Sequence, residues 1–328
     1  MRTLLLGENS MLQLLRLLQD GQFHSGEALG AELGVSRAAV WKQLQSLEAE
    51  RGLRFHKVRG RGYRLEMPLV LLDEASLAAG CQHWPISVVE VVDSTNAEVL
   101  RRLQAGQSAP MVVTAEQQTA GRGRRGRQWV SPFGQNLYYS LAIRIEGGLR
   151  QLEGLSLVVG LALAKALQQM GVQQTALKWP NDVLVEGAKI AGILVEIAGD
   201  PADACDVVIG IGVNVNMPDE AEGIDQAWTS VSAQLGCLVD RNALALKLGG
   251  NLAHYLEQYL QQGFSSLLDE WQDNHAWQGR SVRLSAGDRH VDGRVLGVNA
   301  SGALRLEVDG VEQQFSGGEL SLRLRDDS

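Results

Sequence analysis

Between Thr119 and Trp129 the chain reads Thr119-Ala120-Gly121-Arg122-Gly123-Arg124-Arg125-Gly126-Arg127-Gln128-Trp129, three glycines alternating with four arginines just after a segment that reads as a strand. Glycine lets backbone approach a ligand closely, and a guanidinium forks onto the oxygens of a carboxylate or phosphate. The chemistry on offer is the grip of an anion. Taken alone, the segment is equally an RGG-like nucleic-acid tract or a solvated basic loop. No Gly-x-x-x-x-Gly-Lys-Ser/Thr run occurs, which excludes a P-loop.

A second constellation lies further on. Lys178-Trp179-Pro180-Asn181-Asp182 joins two strand-like segments by a Pro-Asn-Asp turn, and Lys189 opens Lys189-Ile190-Ala191-Gly192-Ile193-Leu194-Val195-Glu196. Each residue also has a plain structural role open to it. Ser94, in Asp93-Ser94-Thr95-Asn96, can cap the helix that follows it. Trp129 and Trp179 can be core aromatics, and Lys189 can pair with Glu186 or Glu196 at a strand end.

These residues need a scaffold. Apolar periodicity predicts strands at Val88–Val92, Met111–Ala115, Leu137–Ile145, Leu177–Trp179, Val183–Val185, Ile190–Ile197 and Val207–Val213. Helices are expected at Ser94–Leu103, Leu152–Met170, Asn242–Gly263 and Phe264–Trp271, and the economical arrangement is a mixed sheet backed by helices. The last fifty or so residues hold short strands at Ser281–Leu284, Arg289–Val298, Ala303–Val308, Val311–Ser316 and Leu320–Leu324, a small all-β barrel. The polar stretch Pro218–Gln226 reads as a surface loop able to fold over a ligand.

The amino-terminal part is different in character. Residues 1–66 carry ten Lys/Arg against seven Asp/Glu (+3), leaving twenty against thirty-one (−11) on residues 67–328 and −8 in all. Such asymmetry suggests a polyanion-binding head on an acidic body. Met11, Leu14, Leu15 and Leu18 make a first helix that Gly21 ends. Ser25 caps a second that stops at Gly34, and Ser36 caps a third running to about Glu50. Val40, Leu44 and Leu47 share a face of that third helix, which leaves Arg37, Trp41, Lys42 and Gln45 for a partner, as in a recognition helix. Arg54 to Leu65 reads as a basic hairpin, the wing of a winged helix, with Arg59 and Arg61 suited to phosphate. A specific repressor of this kind engages two half-sites as a dimer. The alternative for the head is a module for protein contacts.

Taken with Ser131-Pro132-Phe133-Gly134-Gln135-Asn136-Leu137 and Gly210-Ile211-Gly212-Val213-Asn214-Val215-Asn216, the order and spacing of these motifs resemble those of biotin protein ligases over nearly the whole chain. The winged head makes it similar to the bifunctional kind, which is also the biotin operon repressor. The resemblance implies an α+β protein: a winged helix-turn-helix at residues 1–66, a central mixed β-sheet with helices of the biotin/lipoate ligase type (class II aminoacyl-tRNA synthetase-like) at 67–275, and an SH3-like β-barrel at 276–328. It implies two-step acyl transfer. Biotin and MgATP give biotinyl-5'-AMP and pyrophosphate, and a lysine of the biotin carboxyl carrier protein then takes the biotinyl group.

By the same resemblance, Ser94, Thr95, Asn96, Gln118, Arg122 and Gly123 would surround biotin, with Arg124 and Lys189 on its carboxylate and the phosphate as the catalytic cations. Trp129 would stack on adenine, and Asn181 and Asp182 would sit near the phosphate and its Mg²⁺. Asn214 and Arg323 would complete the ATP site, while Ser36, Arg37, Trp41, Lys42, Arg59 and Arg61 would meet operator DNA. A homodimer in the adenylate-bound state is also implied. Residue chemistry agrees, because a carboxylate attacking a phosphate needs cations to offset charge repulsion.

Two alternatives remain at this level: lipoate or octanoyl transfer, and a ligand-sensing transcription factor without turnover. Other classes are disfavoured. Cys81, Cys205 and Cys237 form no Cys-x-x-Cys pair and are expected as reduced structural thiols. No two histidines fall at i, i+3 or i, i+4, so a protein-ligated metal is not expected. The longest apolar stretch, Leu155–Leu167, is interrupted by Ser156, Gly160 and Lys165, and Leu4–Leu6 is too short for a secretory signal. The expected setting is the cytoplasm, with no membrane partner.

Overall fold

The computed structural model describes residues 11–146, 148, 152–199, 204–218, 223–317 and 320–325. Residues 4–6 and part of the loop expected at 218–226 lie outside the described residues. Residues 11–18 are helical (α1) and place Leu14, Leu15 and Leu18 against Leu29, Val40, Leu44 and Leu47 of the next two helices. Helix α2 spans Gly26–Leu33 and α3 spans Arg37–Arg51. The Ser25 and Ser36 hydroxyls accept from the Ala28 and Ala39 amides at 3.0 and 3.2 Å, as the capping pattern predicts. Strands β1 (Phe55–Val58) and β2 (Gly62–Leu65) pair antiparallel as the wing.

Pro68, which by its residue type reads as a hinge between head and body, leads into a strapped linker. Leu69 and Leu71 join the core of the head, whereas Leu72 joins that of the body. Between them Arg241 donates to the Val70 carbonyl at 2.9 Å and Asn242 donates to that of Leu71 at 3.0 Å. The Leu72 amide donates to Glu116, which is itself ion-paired with fully buried Arg241. An ion pair so deeply buried is tolerated because the Val70 and Asn136 carbonyls accept two further bonds from the guanidinium.

The body is a seven-stranded mixed sheet, running from β3 (Ile86–Val92), which is parallel to β4 (Met111–Gln118), through β5 (Leu137–Ile145) and on to β9, β8, β7 and β6, all antiparallel. Strands β6 (Thr175–Lys178), β7 (Asp182–Val185), β8 (Ala188–Ala198) and β9 (Cys205–Val213) fall within three residues of the sequence-based limits. Helix α5 (Thr95–Gln104) covers one face, where Val99 meets Val113, Ala142 and Val208. On the other face lie α6 (Leu155–Gln169), buried nearly all round, and α8 (Arg241–Gln262). Helices α4 (Glu74–Gly80) and α7 (Val231–Leu235) were not expected, being too short to show helical periodicity. Phe264–Leu267 is a 3₁₀ turn that leads into α9 (Leu268–Asp273).

Five carboxy-terminal strands, β10 (Ser281–Ala286), β11 (Arg289–Val298), β12 (Leu304–Val308), β13 (Val311–Phe315) and β14 (Ser321–Leu324), form an antiparallel sheet in the order β13-β12-β11-β10-β14. Its inner residues, among them Val282, Leu284, Leu304 and Leu322, belong to the same core as α6 and α8. Trp179 is 1% exposed, and its indole N–H donates to the Gly302 carbonyl at 3.1 Å, so it is a core aromatic that ties this sheet to the body. All three cysteines are free. Cys205 is buried as expected, but Cys237 is exposed. Among the described residues no helix is long and apolar enough to cross a membrane.

Candidate active site

Strand register makes the floor of the site. Gly192 of β8 pairs with Gly212 of β9, which pairs in turn with Tyr138 of β5. One step along, Leu194, Gly210 and Ser140 repeat the pattern on the same face. The paired glycines leave room for the Trp129 indole. A Cβ at Gly212 would fall 2.5 Å from its ring and one at Gly192 3.2 Å. Trp129 therefore lies on a bare patch of two strands, with the Lys189 ammonium 5.3 Å from its ring centre.

Two chambers meet at this point. The first is lined by Ser94, Thr95, Asn96, Gln118 and Arg122 together with the glycine floor. The second, wider chamber is lined by Asp182, Asn214, Arg323 and the Gly223–Gln226 segment. Gly123, Arg124, Trp129, Asn181 and Lys189 line both. All thirteen residues expected from the sequence to touch biotin or ATP thus border one continuous cleft.

Polar contacts frame the first chamber as a closed circuit. Arg122 donates to both oxygens of Glu196, at 2.9 and 2.8 Å, and Asn96 donates to Glu196 at 2.8 Å. Ser140 Oγ lies 2.6 Å from Asn96 Oδ1 and 2.7 Å from Thr95 Oγ1. The Thr95 backbone N–H donates to Gln118 Oε1 at 2.9 Å, and Gln118 donates to Ser131 Oγ at 3.0 Å. Ser131 then donates to the Trp129 carbonyl at 2.9 Å, and the Trp129 amide donates to Gly121, beside Arg122, also at 2.9 Å. Ser94 stands at the N-cap of α5 but makes no capping side-chain bond, so the expected cap is not formed and the hydroxyl faces the chamber.

The junction is cationic. Lys189 pairs with Asp182 at 2.7 Å, not with Glu186 or Glu196, and Lys178 lies 3.6 Å from the same carboxylate. Burial lowers the Lys178 pKa from its ordinary value, partly offset by Asp182. The Lys189 backbone is clamped from both sides by Ala227 and Thr229, each bond 3.0 Å. Arg124 donates to Asn181 Oδ1 at 3.0 Å, and the Asn181 amide donates to the Ile193 carbonyl at 2.8 Å. Asn214 spends its amide on the Thr229 carbonyl at 3.1 Å, holding the 227–229 segment against the cleft.

Five residues were given no site role from the sequence: Lys178, Arg127 and Trp277, which line the second chamber, and Ser140 and Glu196, which bond to residues that line the first. Serine inside the apolar Leu137–Ile145 run was the one usable signal, since a buried hydroxyl needs a partner. Asp182 and Asp225 are the carboxylates lining the second chamber among the described residues, and no group of three or more potential metal ligands occurs there. Such a donor set makes no metal cage. It suits a hard cation that arrives on phosphate oxygens.

On the head, Arg37, Trp41 and Lys42 are exposed along α3, and Arg59 and Arg61 are exposed on the wing. The Arg61 guanidinium lies 4.5 Å from the Phe23 ring centre, which steadies the wing against the helices. Ser36 serves the helix as its cap.

Comparison with known proteins gives three family matches: the biotin/lipoate A/B protein ligase family at residues 88–214, an HTH domain at 10–64 and the biotin protein ligase C terminal domain at 279–323. The bifunctional ligase/repressor BirA of Salmonella typhimurium is 44% identical, and that of Escherichia coli 41%, each over 95% of this chain and 97% of the relative. The biotin--[acetyl-CoA-carboxylase] ligase of Paracoccus denitrificans is 36% identical over 70% of this chain and 96% of its own. Among solved structures, the Aquifex aeolicus biotin protein ligase in complex with biotin and ATP superposes with a TM-score of 0.65 at 28% identity, covering 74% of this chain and 99% of that one.

Proposed function

We propose the following chemistry for a chain that belongs to the biotin protein ligase family, in its bifunctional ligase/repressor form. The protein activates biotin with ATP to biotinyl-5'-AMP and transfers biotin to a lysine of the biotin carboxyl carrier protein of acetyl-CoA carboxylase. With the adenylate bound, it represses the biotin operon.

The observation that carries the mechanism is the meeting of two chambers at Arg124 and Lys189. Biotin occupies the polar first chamber and ATP the wider second one, so biotin's carboxylate and the α-phosphate face each other at the junction. A carboxylate oxygen forms the new bond to phosphorus, the bond to the β-phosphate oxygen breaks, and pyrophosphate leaves through the second chamber. Both reactants are anions, and the two cations offset their repulsion and the charge gathering on the transferring group. Mg²⁺ bound with ATP would screen its phosphates, and Asp182 is the carboxylate that would meet it. In the second step a carrier lysine amine attacks the acyl carbon and AMP departs. The chamber's polar circuit suits biotin's cyclic urea, with its N–H donors and carbonyl acceptor, better than the aliphatic chain of lipoate or octanoate.

The head binds operator DNA through α3 and the wing, with Arg37, Trp41 and Lys42 toward base edges and Arg59 and Arg61 toward phosphates. Recognition of two half-sites makes the repressor a homodimer, formed when the adenylate is bound, and sets its work in the cytoplasm. One assay tests the enzymatic reading. The protein is incubated with biotin, MgATP and a carrier domain, and pyrophosphate and biotinylated lysine are followed. Absence of both sinks it.

A further inference from the structure

Resting on this reading of the cleft, we propose that Glu196 is a positioning residue for the biotin end: its carboxylate sets the direction in which Asn96 and Ser140 point beside the chamber and pins the arginine-glycine loop to β8. Glu196 sits on β8, paired with Val208 of β9, on the same face as Gly192 and Leu194. It is the one charged acceptor in the circuit described above.

An ionised carboxylate only accepts, so both groups facing Glu196 must donate. Asn96 meets it through Nδ2 at 2.8 Å, which turns Oδ1 toward Ser140. Because Oδ1 cannot donate, the Ser140 proton points at it, while the Thr95 hydroxyl donates to Gln118 Oε1 at 3.1 Å. One anion thereby decides which way an asparagine amide and a serine point. Without it only the longer bond from Asn96 Nδ2 to the Leu194 carbonyl, at 3.3 Å, keeps the amide from turning over and offering N–H groups where there is now oxygen. A cyclic urea has donors and an acceptor at set positions, so reversing the wall costs affinity for biotin and leaves ATP unaffected.

The second half of the role is mechanical. Arg122 and Glu196 are 74 residues apart in sequence and form a two-pronged contact at 2.9 and 2.8 Å. The adjacent loop carries Arg124 to the junction. Glu196 itself is about a quarter exposed and lines neither chamber. It acts through Arg122 and Asn96, not on the substrate.

The test compares Glu196→Ala and Glu196→Gln with the unmodified protein in steady-state adenylation, varying biotin and ATP separately, with thermal unfolding measured alongside. Glu196→Ala should raise KM for biotin at least ~10-fold, the scale of lost charge-assisted hydrogen bonds. KM for ATP should move far less, and Glu196→Gln, which keeps an acceptor for Asn96, should fall between. An unchanged biotin KM, or equal rises in both KM values, in a variant that unfolds at the same temperature as the unmodified protein overturns the proposal. Should Glu196→Ala fail to fold, the same two readouts on Glu196→Gln decide it. Failure of the unmodified protein to make adenylate would instead overturn the functional reading.

Discussion

Lys189 and Asp182 meet at 2.7 Å at the seam between the two chambers, and the backbone of Lys189 is held there by the 227–229 segment. The pair keeps an ammonium in place for a substrate that brings several negative charges with it. On the proposed reading, entering phosphates would compete for this ammonium with the Asp182 carboxylate.

Lys189→Ala should therefore lose at least ~10²-fold in the rate of adenylate formation, the effect of removing one preorganised donor from a developing charge. Single-turnover pyrophosphate release measures it. A near-normal rate would reject the assigned role.

Gly212→Ala places a methyl carbon 2.5 Å from the Trp129 ring. The ring has to leave its seat on β8 and β9, at about 1–3 kcal/mol, the cost of overpacking a tight contact. Ligand affinity at the cleft should fall by about 10- to 100-fold, since each 1.4 kcal/mol is tenfold. Calorimetric titration with biotin and with ATP reads this out, and unaltered affinities would mean that the indole does not depend on the bare strand.

Removal of residues 1–66 should abolish retardation of operator DNA in a gel and leave some ligase activity. It also uncovers Leu69, Leu71 and Phe133, which are at most 5% exposed and pack in the core of the head. The truncated protein should accordingly aggregate more readily, by light scattering, than the full chain. Retained DNA binding would show that the head is misread.

His275 packs on Trp271 with ring centres 4.6 Å apart, and burial lowers its pKa from 6.5 to about 4. The unfolded chain takes up the proton first, so the stabilising contribution is present above about pH 6.5 and is lost as pH falls toward 4. Over that window stability should drop by about 1.4 kcal/mol per pH unit from this group. Urea midpoints at pH 7 and pH 5 test it, and His275→Phe should flatten the difference.

Much of the cleft was legible because its chemistry sits in short contiguous motifs. Asp93–Asn96, Gly121–Trp129 and Lys178–Asp182 each lie at a strand end or in a turn, where local spacing alone keeps polar residues together. Strand limits were legible for the same reason, since alternation is a local signal. The short helices α4 and α7 were not, because five to seven residues carry too little periodicity. The strapping of residues 70–73 after Pro68 was not legible, since its partners, Glu116 and Arg241–Asn242, are distant in sequence.

The sequence by itself determined which residues could grip an anion, that a basic winged head precedes an acidic α+β body, and that glycines recur in the strands of the site. Only the tertiary structure decided who partners whom. Arg122 binds Glu196, Arg124 binds Asn181, and Lys189 binds Asp182 in place of two nearer or equally plausible glutamates. Those choices follow from strand register, which puts Gly192 beside Gly212 and aligns Tyr138 and Ser140 with the same face. Register is set by the packing of distant apolar faces, and a shift of one residue would turn every one of these side chains to the other side of the sheet.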